Sequence, residues 1–383
     1  MGHEPDLLIV GGGLSGGLAA LALATRRPEL DIQLLEREPT LGGNHVWSFF
    51  SADIDPEMQS VVDPLVVKRW ERNSVHFPAH ERTLETPYNS ITSERFDEVI
   101  GEALGDRRLV GTATELGPTH ATLADGTRLE ARAVLDTRGL TEPPRGLACG
   151  WQKFVGQMLD IPGGHGIEHP VIMDATVDQS DGYRFVYLLP FDDTRLFVED
   201  TYYQDDPRLD RDLLASRIAD YARENGWGDH RPNHEETGVL PVVIGGDFDA
   251  FWPADDPVAR GGVRGGLFQP LTSYSLPEAA RFADWLVDAL PLEGPALAIA
   301  TRAYAKRRWR SQRFYRLLGR MLFRAAPPPM RVNVFQRFYR LSDGLIERFY
   351  AGTSTAIDKV RILTGKPPVP IPAAIRALLG KTR

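Results

Sequence analysis

The residues whose types and spacing most clearly serve chemistry are three glycines near the start of the chain, Gly11, Gly13 and Gly16, spaced as G-x-G-x-x-G. In this pattern the first glycine allows a tight turn, the second lets a pyrophosphate approach the backbone, and the third lets helix and strand pack closely. Glu36 follows about 20 residues later, where an acidic residue accepts hydrogen bonds from a ribose hydroxyl. The pattern predicts a dinucleotide site.

The elements that must position this site are predicted around it. The apolar run 7–10 is short enough for a buried strand, the Ala- and Leu-rich run 14–24 favours a helix, and 31–35 favours a second strand. The first helical residues, Leu14 and Ser15, would present free N–H groups to phosphates. A merely structural glycine turn is the alternative, because glycine clusters are common in turns. The early position of the site favours FAD over an exchangeable nicotinamide.

Length and composition are those of an ordinary globular protein. The 383 residues suggest two domains, and 42% hydrophobic with 25% charged residues is a typical balance. A single cysteine, Cys149, excludes an intramolecular disulfide and a cysteine metal cluster, and fits a reducing compartment. Neither a signal peptide nor a run of about 18 apolar residues is recognisable. We therefore expect a cytoplasmic location.

The net charge of −8 hides a strongly basic segment at 301–350, with 13 Lys and Arg against Asp343 and Glu347. Aromatic and aliphatic residues interleave with these arginines, a pattern typical of helices that lie on a membrane surface. Nucleic acid is the rival partner, but the density of large apolar residues argues against it. The remaining alternative is ordinary core helices whose outer faces are rich in arginine.

Further candidate cofactor contacts follow the predicted strands. Arg37 comes directly after Glu36, and Gly43, Asn44 and His45 form a loop soon afterwards, although a flexible loop is an equal interpretation. Arg138 follows a predicted buried strand at 131–136, which would return to the nucleotide sheet.

A second glycine loop, at 261–274, contains the further candidates Gly265, Gly266, Pro270 and Thr272 and leads into a predicted helix. Ser275 and Glu278 match a capping box, and Pro277 suits the first helical turn. Such a helix N-terminus could face a flavin ring. An ordinary junction between loop and helix is the alternative.

Segments 151–158, 183–189 and 195–201 predict an antiparallel sheet typical of a substrate domain. Alternation places Glu199 and Asp200 on opposite faces of their strand. Aromatic residues near these strands and at 46–50 are either core or the wall of a substrate site; the candidates are Trp47, Phe49, Tyr183, Phe185, Tyr187 and Phe197. His165 and His169 lie among glycines and a proline rather than on a helix, so we predict no metal site.

Taken together, the motifs of this chain resemble those of the bacterial lycopene β-cyclases of carotenoid biosynthesis. The matching segments are DLLIVGGGLSGG (6–17), GGNHVWSF (42–49), VLDTRG (134–139), GWQKFVGQ (150–157), HPVIMDATVDQSDGYRFVYLLPF (169–191), LFVEDTYY (196–203), GVLPVV (238–243), GGLFQPLTSYSLPEA (265–279), FYRLSDGLIERFYAG (338–352) and LTGKPPVP (363–370).

The resemblance implies an α/β protein with a glutathione-reductase-like, FAD-binding Rossmann fold, an interleaved antiparallel-sheet substrate domain and a C-terminal helical region. We assign 1–75, 105–149 and 236–300 to the FAD domain, 76–104 and 150–235 to the substrate domain, and 301–383 to the basic helical region. One departure concerns the second flavin loop. The wider flavin hydroxylases have Gly-Asp-Ala there, whereas this chain has Gly265-Gly266-Leu267, so the aspartate that contacts the ribityl chain is not found.

The resemblance also implies a reaction, the cyclisation of lycopene ends to β-rings without net redox chemistry. The family's essential acid matches Glu199, and Asp200 and Glu236 are weaker candidates for supporting carboxylates. A carboxyl among Phe197, Tyr187 and their neighbours would be desolvated, which raises its pKa. The interpretation from the residues alone is a carboxylate paired with Arg184 or Arg195.

The implied cofactor is reduced FAD, which stabilises the carbocation, with NAD(P)H as its reductant. The implied substrates are lycopene and related C40 carotenes, which a peripheral membrane protein would receive through its basic C-terminal region, and association with other carotenoid enzymes is left open. Two other functions stay open on the residues: a redox flavoenzyme, either a monooxygenase or a prenyl or carotenoid reductase, and a non-catalytic prenyl-binding module.

Overall fold

A computed structural model describes residues 4–179 and 182–364. The strands, in chain order, are β1 (Leu7–Val10), β2 (Ile32–Glu36), β3 (Val46–Phe50), β4 (Lys68–Trp70), β5 (Asn73–Phe77), β6 (His80–Leu84), β7 (Tyr88–Thr92), β8 (Arg108–Val110), β9 (Ala113–Leu116), β10 (His120–Leu123), β11 (Arg128–Glu130), β12 (Val134–Asp136), β13 (Leu147–Asp160), β14 (Val171–Asp174), β15 (Tyr183–Pro190), β16 (Arg195–Gln204), β17 (Arg231–Gly246) and β18 (Ala259–Arg260).

The helices fill the intervals between these strands and most of the C-terminal part. They are α1 (Leu14–Arg26), α2 (Pro56–Val62), α3 (Ser93–Leu104), α4 (Arg211–Glu224), α5 (Phe248–Phe251), α6 (Leu276–Ala289), α7 (Gly294–Ser311), α8 (Arg313–Ala325), α9 (Arg331–Phe338), α10 (Asp343–Tyr350) and α11 (Ala356–Leu363). The predicted basic region therefore begins inside α7, and its part at 365–383, with most of the last matching segment, lies outside the described residues.

The nucleotide site is built on a parallel sheet in the order β18-β12-β1-β2-β8. All four residues of β1 are buried, as expected for an apolar strand covered on both faces. Val10 pairs with Leu35 on one side and Asp136 on the other, so the carboxyl ends of three strands meet at one edge. The predicted succession of strand, glycine turn, helix and strand is confirmed.

The second large sheet is mainly antiparallel, in the order β17-β13-β16-β15-β14-β5-β6. It contains the three strands predicted at 151–158, 183–189 and 195–201, and it also contains all of β17. One face packs on α4 through an aliphatic core that includes Val155, Val186 and Val198. The opposite face is covered by aromatic residues of the C-terminal helices, as in the stacking of Phe335 on Tyr183 with ring centroids 4.2 Å apart.

That packing corrects the interpretation of the C-terminal aromatic residues as a membrane-facing stripe. Phe314, Tyr315, Phe335, Tyr339 and Phe349 are buried in the core between helices and sheet. An amphipathic helix has the same periodicity whether its apolar face meets a core or a bilayer, so the sequence did not separate the two. No helix in the described ranges is both long and apolar enough to cross a membrane.

The helix after the second glycine loop begins as predicted, with Ser275 at its N-cap and Pro277 in its first turn. The capping box is not formed, because the Ser275 side chain makes no cap hydrogen bond. Glu278 is instead buried, and it accepts a hydrogen bond of 2.9 Å from Nε of Arg308 and one of 3.2 Å from Nη1 of Arg281. Glu278 therefore ties α6 to α7.

Candidate active site

A cavity of about 810 Å³ lies at the carboxyl edge of the parallel sheet, beside the glycine turn. Of the predicted cofactor residues, this cavity is lined by Gly11, Gly13, Glu36, Arg37, Gly43, Asn44, His45 and Arg138. Glu36 accepts hydrogen bonds from the N–H groups of Gly12, at 2.6 Å, and of Arg37, at 2.8 Å. Its carboxylate is thereby fixed at the end of β2.

The space around each of the three glycines differs in the way that the pattern predicts. Gly11 has a φ of +110°, and a Cβ there would lie 2.7 Å from the backbone N of Arg138. A Cβ on Gly16 would lie only 2.0 Å from the carbonyl oxygen of Gly11. A Cβ on Gly13, by contrast, would meet no atom of the described chain within 4 Å. Gly13 therefore faces open space, where a pyrophosphate can approach.

Gly11, Gly13 and Gly16 form a cradle beside the cavity, to which Ser15 adds a polar atom. The Oγ of Ser15 is buried and has no hydrogen-bond partner in the described part of the chain. It lies in the first turn of α1, whose N-terminal N–H groups suit phosphate oxygens. The open space at Gly13, the unpartnered Ser15 hydroxyl and the fixed Glu36 carboxylate together fit a dinucleotide.

Arg138 is held by hydrogen bonds within the protein. Its Nε donates to Oδ1 of Asp136 at 2.9 Å, and its Nη1 donates to the carbonyl oxygen of Ala113 at 3.2 Å. Arg264, which the sequence reasoning missed, also faces Asp136 and lines the same cavity.

Of the predicted residues of the second glycine loop, Thr272 lines a cavity, and the loop also meets the cavities through Val263 and Arg264, which were not predicted. Gly265, Gly266 and Pro270 line neither cavity: Gly266 lies near Phe251, and the Pro270 carbonyl accepts the N–H of Val243. The glycine pair that follows β18, Gly261 and Gly262, is the one beside α1; a Cβ on Gly262 would lie 2.8 Å from Cβ of Ser15. The two-residue strand before this pair is too short to be predicted from sequence.

A second cavity, of about 280 Å³, adjoins the first at His45, which lines both. Its wall is mainly aromatic and aliphatic and comes from β3, β7, β13, β14, β15, β16, β17, the loop before α6, and α10. Of the predicted residues, Trp47, Phe185, Tyr187, Glu199, Glu236 and Thr272 line it.

Three of the predicted aromatic residues do not line this cavity. Phe49 alternates with Ser48 and Phe50 along β3 and points into the core beside α1, whereas Ser48 and Phe50 line the cavity. Tyr183 and Phe197 are buried in the core under the C-terminal helices. Alternation identified the two faces of each strand but not which positions along a face border the opening.

The sequence reasoning missed a group of tyrosines in the wall: Tyr88, Tyr203, Tyr274, Tyr339 and Tyr350. Several are held by mutual hydrogen bonds, at 2.7 Å between the hydroxyls of Tyr187 and Tyr88, and at 2.6 Å between those of Tyr339 and Tyr350. The hydroxyl of Tyr274 donates to the buried Asp53 at 2.7 Å. Burial raises the pKa of Asp53 to about 7. These hydrogen bonds fix the orientation of the tyrosine rings that make them.

Two carboxyl groups enter this cavity from strands on either side of β13. Gly156 of β13 pairs with Glu199 of β16 on one side and with Glu236 of β17 on the other. Residues directly opposite each other in an antiparallel pair point to the same face, so both side chains rise from one face of the sheet with a glycine between them. Both line the cavity.

Glu199 has the properties of an acid. Desolvation raises its pKa to about 8, and the negative charge of Glu236 is the second cause. The hydroxyl of the buried Thr201 donates to Oε1 of Glu199 at 2.5 Å, a contact that opposes the rise in pKa. Arg184 and Arg195 pair with Asp200 and Asp192, so the alternative of an ion-paired Glu199 is wrong.

Glu236 is buried and held differently. Its Oε2 accepts the backbone N–H of Val46 at 2.9 Å and faces Nδ1 of His45 at 3.3 Å. These contacts join β17 to the loop that carries Gly43, Asn44 and His45.

Asp200 lies on the opposite face of the sheet, as alternation predicts. Arg184 donates to its Oδ1 at 2.8 Å, and burial raises its pKa to about 6. The structure therefore does not bring Asp200 into the cavity with Glu199 and Glu236.

Of the two histidines that the sequence analysis considered as metal ligands, His165 is held by a contact with the backbone. Nε2 of His165 lies 2.6 Å from the carbonyl oxygen of Asp192. Across 4–179 and 182–364, no three His, Cys, Asp or Glu side chains are grouped so as to hold a metal ion.

This arrangement suits acid–base chemistry on an apolar molecule. Two carboxyl groups face one cavity, and the pKa of one of them, Glu199, is raised. Different environments of two such groups can make one an acid and the other a base. Fixed aromatic rings around them would attract a cation formed there. The two cavities adjoin at His45, so a dinucleotide bound in the first cavity could extend to the second.

Comparison with known proteins gives a consistent result. The family model described as "Lycopene cyclase protein" matches residues 6–376. A lycopene beta-cyclase of Pseudescherichia vulneris is 45% identical over 375 residues, covering 98% of this chain and 97% of the relative. One of Paracoccus sp. is 45% identical over 379 residues, covering 97% of each. The chloroplastic lycopene beta cyclase of Arabidopsis thaliana is 22% identical, covering 74% of this chain and 60% of that protein.

Solved structures with a similar fold match this chain at low sequence identity. A geranylgeranyl bacteriochlorophyll reductase-like protein of Thermoplasma acidophilum has a TM-score of 0.64 at 12% identity and covers 99% of both chains. A probable FAD-dependent monooxygenase of Pseudomonas aeruginosa has a TM-score of 0.57 at 17% identity and covers 84% of this chain and 96% of that one. The predicted α/β fold class is confirmed.

The glycine geometry predicts different defects for two alanine variants. Gly16→Ala places Cβ against the Gly11 carbonyl, so we expect a loss of about 1–3 kcal/mol in the free energy of unfolding, because nothing there can yield cheaply. Gly13→Ala enters open space, so we expect a stability change below about 1 kcal/mol but an FAD affinity lower by about tenfold or more, since Cβ obstructs the pyrophosphate.

Urea unfolding of the flavin-free proteins and titration with FAD, followed by flavin fluorescence, measure the two effects separately. If Gly13→Ala bound FAD as tightly as the parent, the assignment of this cradle to the pyrophosphate would be wrong.

Proposed function

This chain belongs to the lycopene cyclase family, and from that premise we propose that it converts the acyclic ends of lycopene to β-rings by acid–base chemistry without net oxidation or reduction. The observation that carries the mechanism is a carboxyl group of raised pKa, Glu199, in an aromatic cavity beside a dinucleotide cradle. The redox alternatives have only the fold in their favour, at 12–17% identity.

The reaction requires an acid, shelter for a cation, and a base. A proton adds to C2 of the acyclic end and leaves a tertiary cation at C1. The C5=C6 double bond attacks C1, the positive charge moves to C5, and loss of the C6 proton gives the β-ring. The mass of the product equals that of the substrate.

Glu199 is the proposed acid, because it is the cavity carboxyl with a pKa raised to about 8 and is therefore protonated near neutral pH. Thr201 fixes the orientation of the group by donating to Oε1. The other oxygen is then the one that carries the transferable proton.

The tyrosine wall is the proposed shelter for the cation. The rings of Tyr187, Tyr350 and Phe50 border the cavity with their orientations fixed by packing and hydrogen bonds. Each face attracts a cation by about 0.5–2 kcal/mol when water is excluded.

FAD is the proposed cofactor, held by Gly11, Gly13, Ser15 and Glu36 in the first cavity, with Val263 and Arg264 of the second glycine loop. When bound in its reduced, anionic form, FAD would supply negative charge that stabilises the cation, and NAD(P)H would serve only to keep it reduced.

Lycopene and related C40 carotenes dissolve in membranes, so we propose that the protein docks on a bilayer with anionic lipid. The structure supports one surface in the basic region, formed by Ile357, Val360 and Leu363 on one side of α11, which are 81%, 61% and 49% exposed. Lys359 and Arg361 lie between them in sequence. Of the arginines that the sequence favoured, Arg308 is occupied by Glu278, whereas Arg307 and Arg310 are exposed.

Glu199→Gln tests the acid directly. The amide keeps the shape of the side chain but has no proton to transfer, so we expect cyclisation to fall by at least about 100-fold with FAD binding unchanged. Glu235→Gln is the matched control, because Glu235 is a strand carboxylate that binds Gln157 and Arg211 outside the cavity. Normal turnover by Glu199→Gln would refute the assignment.

The rate should also depend on pH in a specific direction. The acid acts when protonated, so activity should be present below about pH 8 and decline as the pH rises through that value. Thr201→Val removes the hydrogen bond that lowers the pKa of Glu199, so the decline should move to higher pH. We would measure initial rates from pH 6 to 10; a decline that stays in place or moves to lower pH contradicts the assignment.

The docking surface can be tested by co-sedimentation with vesicles that contain anionic lipid. Ile357→Ser should weaken binding by about tenfold, the loss expected when one buried aliphatic side chain is removed from the lipid contact. Ile299→Ser is the matched control, because Ile299 is 72% exposed but lies on α7. Equal binding by both variants and the parent would show that α11 is not the docking surface.

A further inference from the structure

The geometry points to Glu236 as the catalytic base of this reaction, a role that rests on the proposed function and goes beyond it: we infer that Glu236 removes the C6 proton and then returns it to Glu199. The acid and the base would thus be two side chains in one row across the sheet, on β16 and β17, with Gly156 of β13 between them.

The first support is the sheet register. Glu199 and Glu236 each pair with Gly156, from opposite sides of β13. Neighbouring strands lie about 4.8 Å apart, so the two Cα atoms are about 10 Å apart, a span that two glutamate side chains can share with a substrate ring above them. Both carboxyl groups line the same cavity.

The second support is the absence of a side chain at Gly156. A Cβ there would lie 2.4 Å from the ring of Phe197, which occupies the space over this glycine. Any larger residue at position 156 would rise between the two carboxyl groups. The apolar ring of Phe197 over Gly156 therefore lies at the sheet between Glu199 and Glu236.

The third support is the difference in hydrogen bonding between the two groups. Glu236 accepts the N–H of Val46, a donor suited to a carboxylate, and lies 3.3 Å from Nδ1 of His45. Glu199 has the Thr201 hydroxyl, and the negative charge of Glu236 itself helps to keep Glu199 protonated. Before the reaction the transferable proton is on Glu199.

The proton balance closes without a further reactant. Glu199 gives its proton to C2 and becomes a carboxylate, and the C1–C6 bond forms. Glu236 takes the proton from C6, and the electron pair of that C–H bond becomes the C5=C6 double bond. Transfer of this proton from Glu236 to Glu199 restores the starting state, with nothing oxidised or reduced.

Glu236→Gln tests the assignment through the products as well as the rate. Glu199 can still protonate C2 and close the ring, but the cation at C5 loses the group that removes the C6 proton. We expect β-ring formation to fall by at least about tenfold. The remaining cyclic product should include isomers of equal mass in which C4, or the methyl group on C5, has lost the proton instead of C6. A residue with only a structural role would lower the rate without moving the double bond.

The pH profile supplies a second readout. Removing the negative charge of Glu236 removes one cause of the raised pKa of Glu199, so the alkaline decline in activity should move to lower pH. The groups that face Glu199 are Glu236, Thr201 and Tyr187, with Asp200 on the reverse face. This shift is opposite in direction to that of Thr201→Val, so the two variants check each other.

The controls separate the possible failures. Glu235→Gln changes the neighbouring carboxylate outside the cavity and should keep the parent's product pattern. If Glu199→Gln is inactive but Glu236→Gln forms β-rings at the parent rate, the base assignment is wrong and the proposed function stands. If Glu199→Gln retains activity, the proposed acid chemistry fails first. Should Glu236→Gln not fold, Glu236→Asp keeps the charge but shortens the reach, and an unchanged rate and product pattern in that variant would also overturn the proposal.

Discussion

Two carboxyl groups, those of Glu199 and Glu236, share one mainly apolar cavity, and like charges so enclosed are costly to maintain together. The two groups differ in their partners: Glu236 accepts the N–H of Val46 and lies beside the His45 ring. Glu199 is therefore the group whose charged form is disfavoured. Burial, and after it the negative charge of Glu236, raises the pKa of Glu199 to about 8, so Glu199 holds a proton at a pH where an exposed glutamate would have lost it. The acid chemistry that we propose for the site depends on this asymmetry, which the surrounding structure maintains.

The sheet maintains the spacing, and the surrounding elements maintain the apolar environment. Register through Gly156 sets the two carboxyl groups on one face, while Asp200 and Arg184 neutralise each other on the reverse face. The C-terminal helices close the cavity with Tyr339 and Tyr350, which lie in the segment that the sequence suggested for membrane contact. The loop that carries His45 joins this cavity to the cradle at Gly13 and Glu36. A flavin held there would complete the electrostatic environment of the cation.

What the sequence predicted well is what neighbouring residues determine. The roles of Gly11, Gly13 and Gly16 follow from local spacing, and the opposite orientation of Glu199 and Asp200 follows from strand alternation. What it did not predict depends on long-range packing. The tyrosine wall comes from distant segments, and the second glycine loop contacts α1 through Gly262 after a strand of two residues. The sequence predicts Phe49, Tyr183 and Phe197 at the substrate, whereas they lie in the core, because a strand pattern does not indicate where a cavity ends.

The most direct test is to incubate the purified protein anaerobically with lycopene in liposomes and chemically reduced FAD, and to follow the product by mass and absorption together with the redox state of the flavin. We expect an isomer of unchanged mass that carries β-rings, formed while the flavin stays reduced. A product heavier by hydrogen, formed as the flavin is oxidised, would contradict the account and leave the Glu199–Glu236 pair without its proposed chemistry.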